Sequence, residues 1–109
     1  MPSIFDTICA IITPPGHSAV AMLRISGNQS IDIVCQFFSN APKLRNAASH
    51  TMHYGTFRDE SGVPIDDVVC LLYRNPHSYT GEDCIEISCH GNPLIANRIL
   101  GVLLTRARM

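Results

Sequence analysis

The sequence lacks the features that mark several specialised classes of protein. Its apolar runs are short and interrupted, whereas a membrane-crossing helix needs about 20 consecutive apolar residues, so we expect no contact with a membrane. Charged residues are scarce, at 16%, and 8 Lys and Arg stand against 9 Asp and Glu. Without a basic excess, the chain does not resemble a protein that binds nucleic acid by itself. The opening residues carry no secretory signal, which predicts a cytoplasmic location.

Cysteine pairs and catalytic motifs are also missing. The five cysteines are odd in number and form no C-x-x-C pair, so we expect small buried side chains in a reducing compartment. Cys84, Cys89 and His90 can be drawn as a metal site, but their spacing fits no common zinc module, and we expect no metal. No G-x-x-x-x-G-K-[ST] motif is present to hold a nucleoside triphosphate. Ser78 lies outside any G-x-S-x-G elbow, and we expect no catalytic residue in this chain.

The sequence does contain the pattern of a single α+β domain, for which 46% hydrophobic residues can supply a core. Apolar and alternating runs predict strands at 4–13, 20–26, 51–58, 65–73 and 84–90. Helical spacing from Ile31 to Phe38 predicts a helix that ends before the prolyl residue at position 42, and 41–49 is predicted as a loop.

A second helix should begin at Pro93, because Asn92 suits the N-cap and proline suits the first turn. Leu94 should lie on its apolar face, with Ile95 and Ile99. The strands do not alternate strictly with helices. We therefore expect a mixed, largely antiparallel sheet of about five strands with two helices.

Two charged residues interrupt otherwise apolar strands. Arg24 is either an edge-strand side chain in water or a cation aimed into a pocket, because burying an unpaired charge is costly. Alternation places Glu86 on the same strand face as Ser88 and His90, and that face is either solvent or the lining of a site. Arg24 and Glu86 can also form a simple cross-strand pair.

Several strings in the sequence resemble those of one known family. In chain order they are Asp6-Thr7-Ile8, Thr13-Pro14-Pro15-Gly16, Arg24-Ile25-Ser26-Gly27, His53-Tyr54-Gly55-Thr56-Phe57, Pro76-His77-Ser78-Tyr79-Thr80-Gly81-Glu82-Asp83 and Glu86-Ile87-Ser88-Cys89-His90-Gly91. Their content, order and spacing are similar to the N-terminal domain of the MnmE (TrmE) family of tRNA-modification GTPases. The resemblance covers nearly the whole chain and is far more specific than any single motif.

The resemblance implies a fold similar to the tetrahydrofolate-binding domains of folate-dependent aminomethyltransferases. It also implies a homodimer that binds a one-carbon folate, 5-formyl- or 5,10-methylenetetrahydrofolate, near the dimer interface. The family's folate contacts fall on Arg24 and Glu86. A carboxylate such as Glu86 can accept the ring N–H and the adjacent amino group of a pterin as a bidentate pair, while Arg24 would fix a carbonyl, the glutamyl tail or Glu86 itself. Further pocket-lining residues would be Met22, Tyr79, Ser88 and His90.

The same resemblance implies an enzymatic parent. Family members hydrolyse GTP with Mg2+ and K+ in a separate domain, so 1–109 would be the non-catalytic N-terminal folate-binding and dimerisation domain, a fragment of a longer protein. With the flavoprotein MnmG (GidA), they install a 5-carboxymethylaminomethyl group on the wobble uridine of tRNA. Two alternatives remain open: a dimerisation domain without a ligand, and a free-standing folate-dependent transferase in which His90 is the only candidate general base.

Overall fold

The computed structural model describes residues 6–78 and 81–109 and shows an α+β fold. Its five strands are β1 (Ile8–Ile11), β2 (Val20–Ser26), β3 (Thr51–Arg58), β4 (Pro64–Tyr73) and β5 (Cys84–His90). Its three helices are α1 (Ser30–Cys35), α2 (Ala41–Arg45) and α3 (Pro93–Leu103). None of the helices in the described part of the chain is long and apolar enough to cross a membrane.

The strands form one sheet in the order β1-β2-β5-β4-β3, so β2 and β5 are interior strands. The predicted number of strands and the α+β class are confirmed. All four neighbouring pairs are antiparallel, which confirms the largely antiparallel sheet, although these strands include no parallel pair that would make it mixed. The reason is that β1–β2, β3–β4 and β4–β5 are neighbours joined by short connections, which are too short for a parallel crossover.

One face of the sheet packs against the helices and holds the hydrophobic core. Side chains alternate along a strand, so Leu23 of β2 and Ile85 and Ile87 of β5 point to this side and are fully buried. Ile99 and Leu103 of α3 complete this part of the core and are also fully buried. Burying one such side chain contributes about 1.5–3 kcal/mol, so this layer anchors the two interior strands.

Local capping and turn signals correctly located the last helix and the central hairpin. Asn92 Oδ1 accepts a hydrogen bond from the amide of Leu94 at 2.8 Å, and Pro93 lies in the first turn of α3. In the β3–β4 hairpin, Asp59 Oδ1 accepts from the amide of Val63 at 2.9 Å. Both predictions are confirmed because each depends on residues close together in the chain.

The region between the first helix and β3 differs from the prediction. The stretch 41–49 is not entirely loop, because α2 begins it; proline is tolerated in a first helical turn, and the fully buried Leu44 ties this turn to the core. α1 is shorter than predicted, and Phe38 forms an isolated antiparallel bridge with Phe57. The described part of the chain therefore has three helices, where the sequence predicted two.

Two other element predictions need correction. Leu94 was expected on the apolar face of α3 but is 75% exposed, because in the first turn its side chain faces away from the sheet. β1 is shorter than the predicted strand 4–13, since its pairing with β2 ends at Ile11. Residues 4 and 5 of that prediction lie outside the described part of the chain.

The five cysteines are all buried with free thiols, and we expect their burial to lower their reactivity. Burial raises the pKa of Cys9, Cys84 and Cys89 to about 11, and it also raises the pKa of Cys70 and Cys35. Because the thiolate is the reactive form, we expect the folded chain to resist alkylation at mildly alkaline pH. Mass spectrometry after iodoacetamide treatment should show five modifications only in denaturant; rapid labelling of the folded chain would contradict this.

Candidate functional site

The second face of the sheet carries no helix in the described part of the chain, and we call it the open face. It presents the side chains that alternate with the core residues, namely Val20, Met22 and Arg24 of β2, Glu86, Ser88 and His90 of β5, Val69, Leu71 and Tyr73 of β4, and Met52 and Tyr54 of β3. Every predicted site residue that the structure describes lies on this face. The remaining one, Tyr79, lies outside the described residues.

Arg24 and Glu86 lie directly opposite each other on the two interior strands. Nε and Nη2 of Arg24 both donate to Glu86 Oε2, at 2.9 Å and 2.5 Å. Glu86 is only 6% exposed, and the guanidinium compensates a carboxylate that would be costly to bury alone. The cross-strand pair is thus confirmed, and the reading of Arg24 as an edge-strand side chain is wrong, because β1 pairs with the outer side of β2.

The second carboxylate oxygen of Glu86 is available to another donor. Oε1 accepts no hydrogen bond from the residues that the structure describes. It is not among the buried polar atoms that lack a hydrogen-bond partner, since none is found in the described part of the chain. An ionised carboxylate offers about four acceptor sites, of which Arg24 occupies two on Oε2. Glu86 is therefore a charged acceptor, oriented by Arg24, with capacity for a ligand that presents N–H groups.

Apolar and small polar side chains flank the Arg24–Glu86 pair. Met22 and Ser88 form the next cross-strand pair on the open face, and both are half-buried. On the other side of Glu86, Leu71 of the neighbouring strand β4 is its cross-strand partner. The structure thus brings the predicted Met22 and Ser88 beside the charged pair. It adds Leu71 as an apolar wall, which had no signal in the sequence.

His90 lies at the far end of β5, and Asp66 of β4 holds its ring. Asp66 accepts from His90 Nδ1, with distances of 2.8 Å to Oδ1 and 3.0 Å to Oδ2, and from the His90 amide at 2.9 Å. Since a carboxylate only accepts, Nδ1 carries a proton, and in the tautomer that this bond selects Nε2 is an acceptor. No local pattern points to Asp66 as a partner of His90, because their contact depends on the β4–β5 register.

Two adjoining cavities lie on the open face where β3 begins and β4 ends. The larger, of about 510 Å³, is lined by His50, Tyr73, His77 and Ser78. The smaller, of about 270 Å³, is lined by His50, Thr51, Met52, Leu71 and Tyr73. Together they are large enough for part of a small-molecule ligand, for which sites of roughly 300–1,000 Å³ are typical. His50 carries no interpretable spacing in the sequence, whereas His77 belongs to one of the strings that resemble the family.

The loop that precedes β5 is tied to β2 and to its own backbone. Ser26 Oγ donates to Glu82 Oε2 at 3.1 Å, and Ser78 Oγ donates to the Glu82 carbonyl at 2.5 Å. Asp83 accepts from the Gly27 amide through its carbonyl at 2.9 Å. The hydroxyl of Ser78 therefore braces the loop, which explains its presence without a nucleophilic role.

A comparison with protein families decides what kind of chain carries this site. A family model described as "GTP-binding protein TrmE N-terminus" matches residues 7–109. The chain belongs to the TrmE N-terminal family. The resemblance seen in the sequence motifs is therefore confirmed over nearly the whole chain.

Three relatives of this TrmE N-terminal chain carry the name tRNA modification GTPase MnmE. They are 46% identical over 99 residues in Protochlamydia amoebophila, 44% over 108 in Moorella thermoacetica and 41% over 100 in Fervidobacterium nodosum. The matches cover 91%, 95% and 91% of this chain but 21%, 23% and 22% of the relatives. The chain thus spans about a fifth of the length of the curated relatives it matches.

Proposed function

We propose that this chain is the folate-binding and dimerisation domain of a tRNA-modification GTPase. The observation that carries the proposal is the carboxylate of Glu86, which is buried on an interior strand, oriented by Arg24, and has one oxygen without a described donor. Family membership and the name of the relatives support the role in tRNA modification.

A pterin ring matches this acceptor in hydrogen-bonding chemistry. Its edge offers an N–H and an adjacent amino group, both donors, and charge-assisted bonds to a carboxylate are the stronger kind. One donor would take Oε1 of Glu86, and the second would replace one of the two Arg24 bonds on Oε2. Arg24 bonds Oε2 through two of its nitrogens and so prevents the carboxylate from turning away. The ligand would be a one-carbon tetrahydrofolate, either the 5-formyl or the 5,10-methylene form.

The open face also has the surface expected of a homodimer interface. Val20 is 51% exposed, Met52 68% and Tyr54 66%, and exposed apolar side chains grouped on one face commonly mark an interaction site. A second copy placed over this face would cover these side chains and enclose the region around Glu86. Dimerisation and folate binding are therefore proposed for the same side of the sheet.

The parent protein would supply the remaining chemistry. We place its GTP site, with Mg2+ and K+, in the part of the protein outside this chain, since no P-loop motif occurs within 1–109. The flavoprotein MnmG and tRNA would likewise be partners of the full-length protein. The product would be a 5-carboxymethylaminomethyl group on a wobble uridine, with the folate supplying a carbon, and the site of action would be the cytoplasm.

The experiment that tests this proposal is a calorimetric titration of the chain with 5-formyltetrahydrofolate, at a concentration where sedimentation shows a dimer. Saturable binding with one folate per chain is the expected result. A dimer that binds no folate would leave only the ligand-free dimerisation domain, and a strict monomer without folate binding would overturn both parts.

A charge on the open face should prevent dimerisation. Replacing Tyr54 by glutamate would bury an unpaired carboxylate in the proposed interface, and we expect the dimer dissociation constant to rise at least about tenfold. Sedimentation velocity measures the change. Leu94→Glu on α3 is the matched control, because Leu94 is equally accessible but lies in the helical layer. Equal dimerisation of the two variants would exclude the open face as the interface.

The hydrogen-bonded Asp66–His90 pair favours a second candidate, a folate-dependent transferase. A carboxylate that fixes the histidine tautomer leaves Nε2 as an acceptor, an arrangement used by general bases. This candidate predicts release of the folate's carbon to a small acceptor by the chain alone, abolished by His90→Asn. If no one-carbon acceptor is modified while folate still binds, the binding domain remains the better description.

A further inference from the structure

We propose that the cavity lined by His50, Tyr73, His77 and Ser78 binds the carboxylate-bearing tail of the ligand whose ring is held at Glu86. This cavity is named here the imidazole cavity. The inference rests on the proposed function, because it assigns the second end of the same folate. This end of a folate consists of an aromatic amide followed by carboxylates, and imidazole N–H groups can donate hydrogen bonds to the carboxylates.

The position of the imidazole cavity relative to Glu86 is the first reason. Leu71 is the cross-strand partner of Glu86 on the open face, where directly opposite side chains have Cβ atoms about 4.5–5.5 Å apart. Leu71 also lines the smaller cavity, which shares His50 and Tyr73 with the imidazole cavity. The smaller cavity thus begins at Leu71, next to Glu86, and adjoins the imidazole cavity with its two histidines. A pterin bound by its donor edge projects its substituent away from Glu86, and the two cavities offer room in that direction.

The fixed orientation of His50 is the second reason. Its amide donates to the Leu72 carbonyl at 2.7 Å, and its Nδ1 lies 2.9 Å from Ser49 Oγ, which itself accepts from the Arg74 amide. The Nδ1 side of the ring is thus engaged, and the Nε2 side is left for a ligand. The backbone of His50 has φ +64°, a left-handed conformation that non-glycine residues adopt rarely and that is often found at functional sites.

The lining of the imidazole cavity suits an aromatic anion. The rings of His50 and Tyr73 meet edge-on, with centroids 5.3 Å apart, and leave an aromatic wall for the aminobenzoyl ring of a folate. Each imidazole, when protonated, donates to a carboxylate by a charge-assisted bond. None of the described lining residues is acidic. His90 lies at the opposite end of β5 and is the competing anchor for a tail that runs the other way.

The test compares two ligands with the chain and its variants by calorimetry at one fixed pH. One ligand is 5-formyltetrahydrofolate, and the other is the carboxamide of 5-formyltetrahydropteroate, which keeps the pterin and the benzoyl ring but has no carboxylate. His50→Asn and His77→Asn should each weaken the first ligand about three- to fivefold more than the second, as for exposed ion pairs, because only the first ligand has carboxylates. Asparagine is chosen because it tolerates the left-handed backbone of His50. Glu86→Gln should weaken both ligands equally.

The outcomes separate this inference from the proposed function. If Glu86→Gln weakens both ligands and neither histidine variant discriminates between them, the tail lies elsewhere and the inference is overturned. Selective loss of the carboxylate ligand in His90→Asn alone would place the tail along β5 instead. If neither ligand binds, or Glu86→Gln has no effect, the proposed function itself fails. His17→Asn, an exposed histidine in the β1–β2 loop, is the matched control and should bind both ligands as the unmodified chain does.

Discussion

Replacing Glu86 by glutamine is expected to weaken binding of 5-formyltetrahydrofolate about ten- to hundredfold. A carboxylate accepts hydrogen bonds only, whereas the glutamine amide presents two donors of its own to the donor edge of the pterin. The loss corresponds to about 1.4–2.8 kcal/mol, in the range for hydrogen bonds that involve a charged partner. Arg24 would also lose its counterion, so the remaining acceptor would be held less firmly.

Calorimetry on the Glu86→Gln and Glu60→Gln variants measures this effect with a matched control. Glu60 lies exposed in the turn between β3 and β4, and the same substitution there should leave folate affinity unchanged. A thermal melt of each variant confirms that the fold is retained. Unchanged folate affinity in a folded Glu86→Gln protein would mean that the Arg24–Glu86 pair is only a structural cross-strand salt bridge.

Replacing Gly91 by alanine is expected to lower the free energy of unfolding by about 3 kcal/mol or more. A Cβ at this position would lie 1.9 Å from the carbonyl oxygen of Ser18, and backbone cannot yield as a flexible side chain does. The Ser18 amide also donates to the Gly91 carbonyl at 3.0 Å, so moving the loop away would break this bond as well. The melting temperature of a domain this size should fall by roughly 10–20 °C.

Gly101→Ala in α3 is the matched control, with an expected effect of opposite sign. A Cβ at Gly101 meets nothing within 4 Å, and alanine is favoured over glycine in a helix interior by about 1 kcal/mol. Chemical denaturation of both variants measures the two changes. A Gly91→Ala protein as stable as the parent would show that the β1–β2 loop is not held against the end of β5.

The sequence located most of the secondary structure but not the region around α2. Strands such as β3 and β5 were predicted because alternation is local, and α3 was predicted because Asn92 and Pro93 cap it locally. α2 was missed because its polar, proline-containing sequence does not favour a helix. Its burial of Leu44 against the core is what stabilises the turn, and that contact cannot be read from neighbouring residues.

The candidate site, like the secondary structure, could be predicted from the sequence only in part. Arg24 and Glu86 were identified as unusual charges in apolar strands, and the family resemblance gave each a role. Their hydrogen bonds, by contrast, join residues 62 positions apart in the chain. No sequence pattern assigned a role at the site to Asp66 or His50, and His77 was noted only as part of a family-like string. The surroundings of these residues are created by strands and loops that meet only in the folded chain.

Local patterns along the chain are enough to establish the α+β class, the five strands, the membership of the TrmE N-terminal family and the identity of the two charged residues. These properties follow from periodicity, caps and motifs, each of which depends on residues within a few positions of one another. It is the folded chain that reveals the antiparallel strand order, the pairing of Arg24 with Glu86 and the two cavities where β3 begins and β4 ends. Register and strand order depend on contacts between distant segments, so no local pattern contains them.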